Sequence, residues 1–217
     1  MTHQKRLSAP KHYPIERKQK KYVSNIKGSR DSATAIPAGL LLRDVLEYAE
    51  TEKEAKKIIR DGQVLRNGYR LGDVQEGVGV LDLIEIPETE EKFRAVKKQD
   101  RLEFVPVESD NHVAKIVDKT SQEDRNVYRL HNGENYSTKD EFETGSTLVL
   151  NDGAEEVALE EDSEALVIKG RHAGEEVTVH ELNRRGMNPD TAVVSEGENQ
   201  YETQLSNLVA VTGIQVM

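Results

Sequence analysis

The 217-residue chain contains no cysteine. Disulfides, thiolate metal sites and cysteine nucleophiles are therefore excluded. It has no tryptophan and only 3 phenylalanines, and its 35% of apolar residues faces 32% of charged ones. That is little material for one large core, and it favours several small β-rich or mixed modules. No stretch approaches the roughly 20 apolar residues that a membrane-spanning helix needs. The N-terminus is positively charged but lacks an apolar segment behind that charge. A secretory signal is not expected, and cytoplasmic residence is the default.

Charge is abundant but unevenly placed. The net charge is −10, yet residues 1–70 carry 16 Lys and Arg against 8 Asp and Glu, while residues 71–217 carry 14 against 32. Within residues 1–30 there are 9 basic residues and one acid, Glu16. A basic segment on an acidic chain points to a polyanionic partner for that segment. The acid is spread over several segments rather than gathered in one tail. This favours a surface suited to a salty cytoplasm over a docking site for a basic partner.

Residues 1–36 carry Lys5, Arg6, Lys11, Arg17, Lys18, Lys20, Lys21, Lys27 and Arg30 without helical or strand spacing. Pro10 and Pro14 discourage a long helix. The segment is expected to be largely unfolded alone and to order along phosphates, with His3, His12, Tyr13 and Tyr22 interleaved among the cations.

Leu42, Val45, Leu46 and Ala49 share one face of a helix expected over 39–49. Thr51 offers an N-cap with Glu54 as its capping-box partner, and Gly62 suits the left-handed C-terminal position of a second helix. On that helix Lys53, Lys56, Lys57 and Arg60 recur at i, i+3, i+4 and i+7, an arc of roughly 100°. Ala55, Ile58 and Ile59 fall opposite. Glu52 and Glu54 lie in the first turn, where acids suit the helix dipole. The pattern predicts a helix that packs one face inward and turns four cations to RNA. Asn67-Gly68 between short apolar runs predicts a two-residue hairpin with Arg66 and Arg70 near its end. A strand is expected over 80–86. Arg43, Arg66 and Arg70 are suited to bidentate phosphate bonds.

Alternating runs at 102–107, 113–117, 127–130 and 147–150 predict a small antiparallel β domain, with turns at Asn132-Gly133 and Asp152-Gly153. Runs at 165–168, 177–179, 191–194, 200–205 and 208–211 predict a small barrel of SH3 type. The expected class is α+β and multi-module: a basic N-terminal extension (1–38), a small ααβ RNA-binding module (39–87), a central antiparallel β domain (88–162) and a C-terminal barrel (163–217).

Enzyme signals fail on inspection. There is no phosphate-binding loop motif, and Gly77-Val78-Gly79 is a weak glycine pair. His180-Glu181-Leu182-Asn183-Arg184 places Arg where a zinc protease needs its second His. The 6 His, at positions 3, 12, 112, 131, 172 and 180, show no metal spacing. Glu160-Glu161-Asp162 reads as a solvated linker.

The 39–87 unit resembles the RNA-binding module of a bacterial small-subunit ribosomal protein, tRNA synthetases and pseudouridine synthases. Gly170-Arg171 with Gly174 resembles a KOW motif. With Lys5-Arg6-Leu7, Ala9-Pro10-Lys11-His12, Leu42-Arg43, Leu46, Tyr48-Ala49, Lys56-Lys57-Ile58, Phe93-Arg94 and Leu205-Ser206-Asn207-Leu208, in this order, the chain resembles the archaeal and eukaryotic small-subunit ribosomal proteins of the S-four-e family. The resemblance implies a non-enzymatic protein held on small-subunit ribosomal RNA among neighbouring ribosomal proteins, with no cofactor, membrane or small-molecule substrate. It departs from the family where Glu175-Glu176 follow the KOW loop and where the chain reads Gln215-Val216-Met217. That leaves Lys169 and Arg171, beside His172, as the RNA-binding residues of the last module. The acidity suits a halophilic archaeal member. Two alternatives are a KOW-containing transcription elongation or antitermination factor, which would need a polymerase-binding domain, and an RNA-modifying enzyme, which would need a catalytic domain with a pocketed Asp.

Overall fold

The computed structural model describes residues 4–151, 153–186, 188–214 and 216. His3, Asp152, Gln215 and Met217, named above, lie outside the described residues. The chain is β-rich, with two α-helices among the described residues, and it divides into two compact units. The first comprises residues up to Val96 together with Asp100–Glu108; the second comprises Lys97–Gln99 and the residues from Ser109 to Val216.

In the first unit β1 (Gln4–Lys5) pairs with β2 (Tyr22–Val23). β3 (Ala35–Pro37) runs directly into α1 (Ala38–Asp44), and α2 (Glu52–Arg60) follows. β4 (Leu65–Arg66) and β5 (Tyr69–Arg70) form the expected hairpin. Asn67 and Gly68 turn it with φ of 53° and 78°, the positive pair a two-residue turn requires. β6 (Gly77–Gly79) pairs antiparallel with β3. β7 (Leu83–Ile86), β8 (Glu91–Lys98, of which residues 91–96 belong to this unit) and β9 (Arg101–Pro106) complete a sheet of order β5-β4-β7-β8-β9.

Two expected elements are shorter. α1 stops at Asp44 rather than 49: Val45 already leaves helical geometry at φ −120°, and Glu47 turns the chain at φ 59°. The turn still returns Ala49 to the core, where its N–H bonds the Leu42 carbonyl at 3.3 Å. The strand expected from 80 begins at Leu83, because Leu81 at φ 68° forms a turn first.

The N-terminal segment is folded rather than loose. Ala9, Tyr13 and Val23 are buried, and the Leu102 N–H bonds the His12 carbonyl at 2.9 Å. The anchoring residues stand at irregular intervals, so hydrophobic periodicity does not reveal them.

The second unit holds two five-stranded antiparallel sheets. The first contains β10 (His112–Ser121), β11 (Asn126–Leu130), β12 (Asn135–Thr138), β13 (Thr147–Leu150) and β14 (Ala154–Val157), in the order β12-β11-β10-β13-β14. Ala114, Ile116, Tyr128, Leu130, Phe142 and Leu148 form its core. The second contains β15 (Glu164–Val167), β16 (Glu176–Asn183), β17 (Thr191–Glu196), β18 (Asn199–Gln204) and β19 (Leu208–Ala210), in the order β18-β17-β16-β15-β19. Its core joins Ala165, Val167, Val177, Val179, Ala192, Val194 and Leu208. The five expected strands are present, but their pairing among the described residues is an open order with β18 and β19 outermost.

Candidate nucleic-acid interface

The geometry of α2 follows from its sequence. The Thr51 hydroxyl accepts from the Glu54 N–H at 3.2 Å, and the Glu54 carboxylate accepts from the Glu50 N–H at 2.9 Å. The return bond of the capping box thus lands one residue before the cap. Ala55 and Ile59 are buried, Ile58 is half-buried, and Lys53, Lys56, Lys57 and Arg60 are all exposed. None of the four side chains has an ion-pair or hydrogen-bond partner among the described residues.

The hairpin extends this surface. Gly62 ends α2 at φ +74°, and a Cβ there would meet the Arg70 Cδ and Nε at 3.2 Å. Arg70 therefore lies across the C-terminal end of α2, next in space to its row of cations. Tyr69 beside it is 79% exposed. Arg66 is turned inward: its Nη1 donates to the Gly77 carbonyl at 2.5 Å, and its Nη2 stands 3.7 Å from Glu76. Asn67 is buried and internal, donating from Nδ2 to Asp82 and accepting from the Leu83 N–H, both at 2.8 Å.

The cations of the N-terminal segment divide into two sets. Lys5, Lys11, Lys18, Lys20 and Lys21 are exposed, and the Lys21 ammonium lies 5.3 Å from the Tyr22 ring. Arg6, Arg17, His12 and Arg30 instead hold the segment together. Arg17 donates to the Ala9 and Pro10 carbonyls at 2.6 and 2.8 Å. The His12 ring is 2.9 Å from the Ala35 carbonyl. Arg6, 1% exposed, reaches Asp44 at 2.6 Å.

Asp44 gathers three cations. Arg43 binds both its oxygens at 2.8 Å, and Lys20 joins Arg6 at 3.1 Å. Burial pushes the Asp44 carboxyl up, but the hydrogen bonds from Arg43, Arg6 and Lys20 prevail and hold it well below the usual carboxylate range. One carboxylate against three cations leaves the cluster positive. Asp82 is held the same way, its burial outweighed chiefly by Arg30. The charge run of the sequence concealed these anchors. The available signal was Asp82 itself, an acid inside the apolar run Val80-Leu81-Asp82-Leu83-Ile84, since a buried carboxylate requires a partner.

In the second unit Lys169 and Arg171 are exposed on the loop that Gly170 and Gly174 turn, with φ of 91° and 94°. His172 is engaged within the unit: its ring stacks on Tyr201 at 4.0 Å and its Nδ1 is 2.9 Å from Glu175. Among the described residues no helix is long and apolar enough to cross a membrane, and no group of three or more His, Asp or Glu is placed to hold a metal ion.

A family model described as the RS4NT (NUC023) domain matches residues 2–26. A protein named small ribosomal subunit protein eS4, from Methanothermobacter thermautotrophicus, is 33% identical over 97% of this chain and 92% of its own length. The protein of the same name from Haloarcula marismortui is 32% identical over 96% of this chain and 95% of its own. The fold is similar to the crystal structure of the 30S ribosomal protein S4e from Thermoplasma acidophilum, with a TM-score of 0.68, 20% identity, and coverage of 82% of this chain and 95% of that one. With whole-length identity above the level at which kinship is secure, the chain belongs to the eS4 family of small ribosomal subunit proteins.

Proposed function

We propose that this protein is a structural constituent of the small ribosomal subunit, binding ribosomal RNA and supporting translation without catalysing a reaction. Its partners are small-subunit ribosomal RNA and neighbouring ribosomal proteins, and its place is the cytoplasmic ribosome. The observation that carries this reading is the four-cation face of α2, unpaired and continued by Arg70 across the helix end. Such a face recognises backbone phosphates and the shape of a folded RNA more than its sequence.

Within that role we assign the functions of the modules. Residues 39–87 are the RNA-binding module, and the exposed lysines of the preceding 38 residues extend its reach along the RNA backbone. Residues 163–217 act as a KOW module that offers Lys169 and Arg171. The acidic surface of residues 71–217 keeps the remainder hydrated in a salty cytoplasm, so RNA binding leans on hydrogen bonds and shape as well as on charge. Relatives matching over the whole chain carry the ribosomal name, and nothing observed favours the elongation-factor reading.

The test is sucrose-gradient fractionation of a lysate at its native salt. The protein is expected to migrate with small subunits, and Lys56→Glu combined with Lys57→Glu is expected to reduce that fraction with its thermal unfolding unchanged. Undiminished co-migration of the double variant would remove α2 from the interface.

A further inference from the structure

The second unit is acidic almost everywhere, and its cations are not scattered. A cleft of about 1030 Å³ lies within this unit. Of the 9 Lys and Arg between residues 109 and 216, five line it: Lys115, Lys119, Arg129, Lys169 and Arg184. Of the 22 Asp and Glu in the same stretch, three line it: Glu141, Glu143 and Asp190. The cleft is thus a positive concavity in a negative surface.

Lys115 is its unusual member. It stands in the interior of β10 and is 6% exposed. Its ammonium donates to the Leu205 carbonyl at 2.5 Å and the Leu208 carbonyl at 2.6 Å. An ammonium has three donors, and no carboxylate is among its partners. A buried cation without a counter-charge is costly. Burial, and then the charge of Lys169, push Lys115 down to about 8. Lys169 and Arg184 are exposed and have no hydrogen-bond or ion-pair partner among the described residues. Arg129 is only loosely paired, 3.5 Å from Asp118 with 61% of its side chain exposed, while Lys119 bonds Glu141 at 2.8 Å.

We infer that this cleft is a second contact for ribosomal RNA, in which Lys169 and Arg184 bind backbone phosphates and the buried charge of Lys115 adds to the positive potential beneath them. The inference rests on the ribosomal reading and adds to the Lys169 and Arg171 loop a cleft that Lys115 and Arg184 share with it. Phosphate fits better than a carboxylate partner because guanidinium and ammonium donors enter from β10, β11 and the loops after β15 and β16 around a wide, open cleft. A nucleic-acid backbone brings several anionic oxygens into such a space at once. The surrounding carboxylates then restrict the contact to the cleft, repelling the backbone elsewhere.

The test compares full-length wild type, a Lys169→Glu and Arg184→Glu double variant, and the α2 double variant. Each is titrated with small-subunit ribosomal RNA across a salt series. The cleft variant is expected to bind about tenfold or more weaker, with a log–log salt slope smaller by about 1.4–1.8, as for two lost phosphate contacts. A Lys169→Gln and Arg184→Gln variant is expected to show the same slope change with a smaller loss of affinity. Unchanged affinity and slope in the cleft variants, with the α2 variant weakened, overturns the cleft and leaves the ribosomal reading intact. A wild type with no affinity for the RNA overturns both. Loss of binding to polyglutamate with RNA binding intact overturns the RNA assignment in favour of an acidic protein segment.

Discussion

Arg30 donates from Nε and Nη2 to the two carboxylate oxygens of Asp82, at 2.8 and 2.6 Å, and neither side chain is more than 2% exposed. The pair joins the N-terminal segment to the turn before β7. Asp82 also accepts from the Asn67 amide and the Gly79 N–H, so its oxygens are fully used. Arg30→Met should destabilise the first unit by about 3–5 kcal/mol, because it leaves a buried carboxylate without its counter-charge. Asp82→Asn on top of Arg30→Met should recover part of that loss by removing the orphaned charge. Denaturant unfolding followed by hydrogen exchange at β6 and β7 measures both. A loss under about 1 kcal/mol would show that the pair is not what fixes the segment.

Asp44 predicts an acid-sensitive first unit. Its folded carboxyl lies below its unfolded value, so its contribution is complete above about pH 5 and is lost as pH falls through the folded value. Asp82 acts in the same direction. Stability should therefore decline from about pH 5 downward. Asp44→Asn should start lower at pH 7 and decline less steeply, the remaining slope belonging in part to Asp82. Urea midpoints between pH 7 and the acid limit provide the comparison, and parallel curves for the two proteins would discount the cluster.

Gly62 and Gly68 separate backbone strain from positioning. Both have positive φ, +74° and +78°, so alanine at either should cost about 1–2 kcal/mol. A Cβ at Gly68 meets nothing within 4 Å, whereas one at Gly62 meets the Arg70 side chain at 3.2 Å. Gly62→Ala should weaken RNA binding beyond its effect on stability, and Gly68→Ala should not. Equal RNA affinities in the two variants would show that the placement of Arg70 is unimportant.

How much of this was legible depended on whether local rules or distant partners set the structure. The Asn67-Gly68 hairpin, the Thr51 cap, the opposed faces of α2 and β13 at Thr147–Leu150 all follow from neighbours in sequence, and each was readable. β12 (Asn-Tyr-Ser-Thr) and β14 (Ala-Glu-Glu-Val) were not. They are polar edge strands formed by pairing rather than by their own composition. The inward turn of Arg6, His12 and Asn67 was equally hidden, because the partners Asp44, Ala35 and Asp82 lie far away in sequence. Lys115 carried a readable anomaly, a lysine inside the apolar run Val113-Ala114-Lys115-Ile116-Val117, whose meaning needed the cleft.

The separation in sequence between anchor and anchorage has a consequence for synthesis. Arg6 must wait 38 residues for Asp44, and Arg30 must wait 52 for Asp82. Chains emerge from the ribosome N-terminus first, at about 5–20 residues per second. For the seconds before Asp82 emerges, Arg30 has no carboxylate to hold it, and the first segment is a free polycation in a cell full of RNA. Once Asp44 and Asp82 have emerged, Arg6 and Arg30 have the carboxylates that bury them, while the lysines stay outside. A nascent chain halted before residue 82 should therefore cling to RNA less selectively than the finished protein.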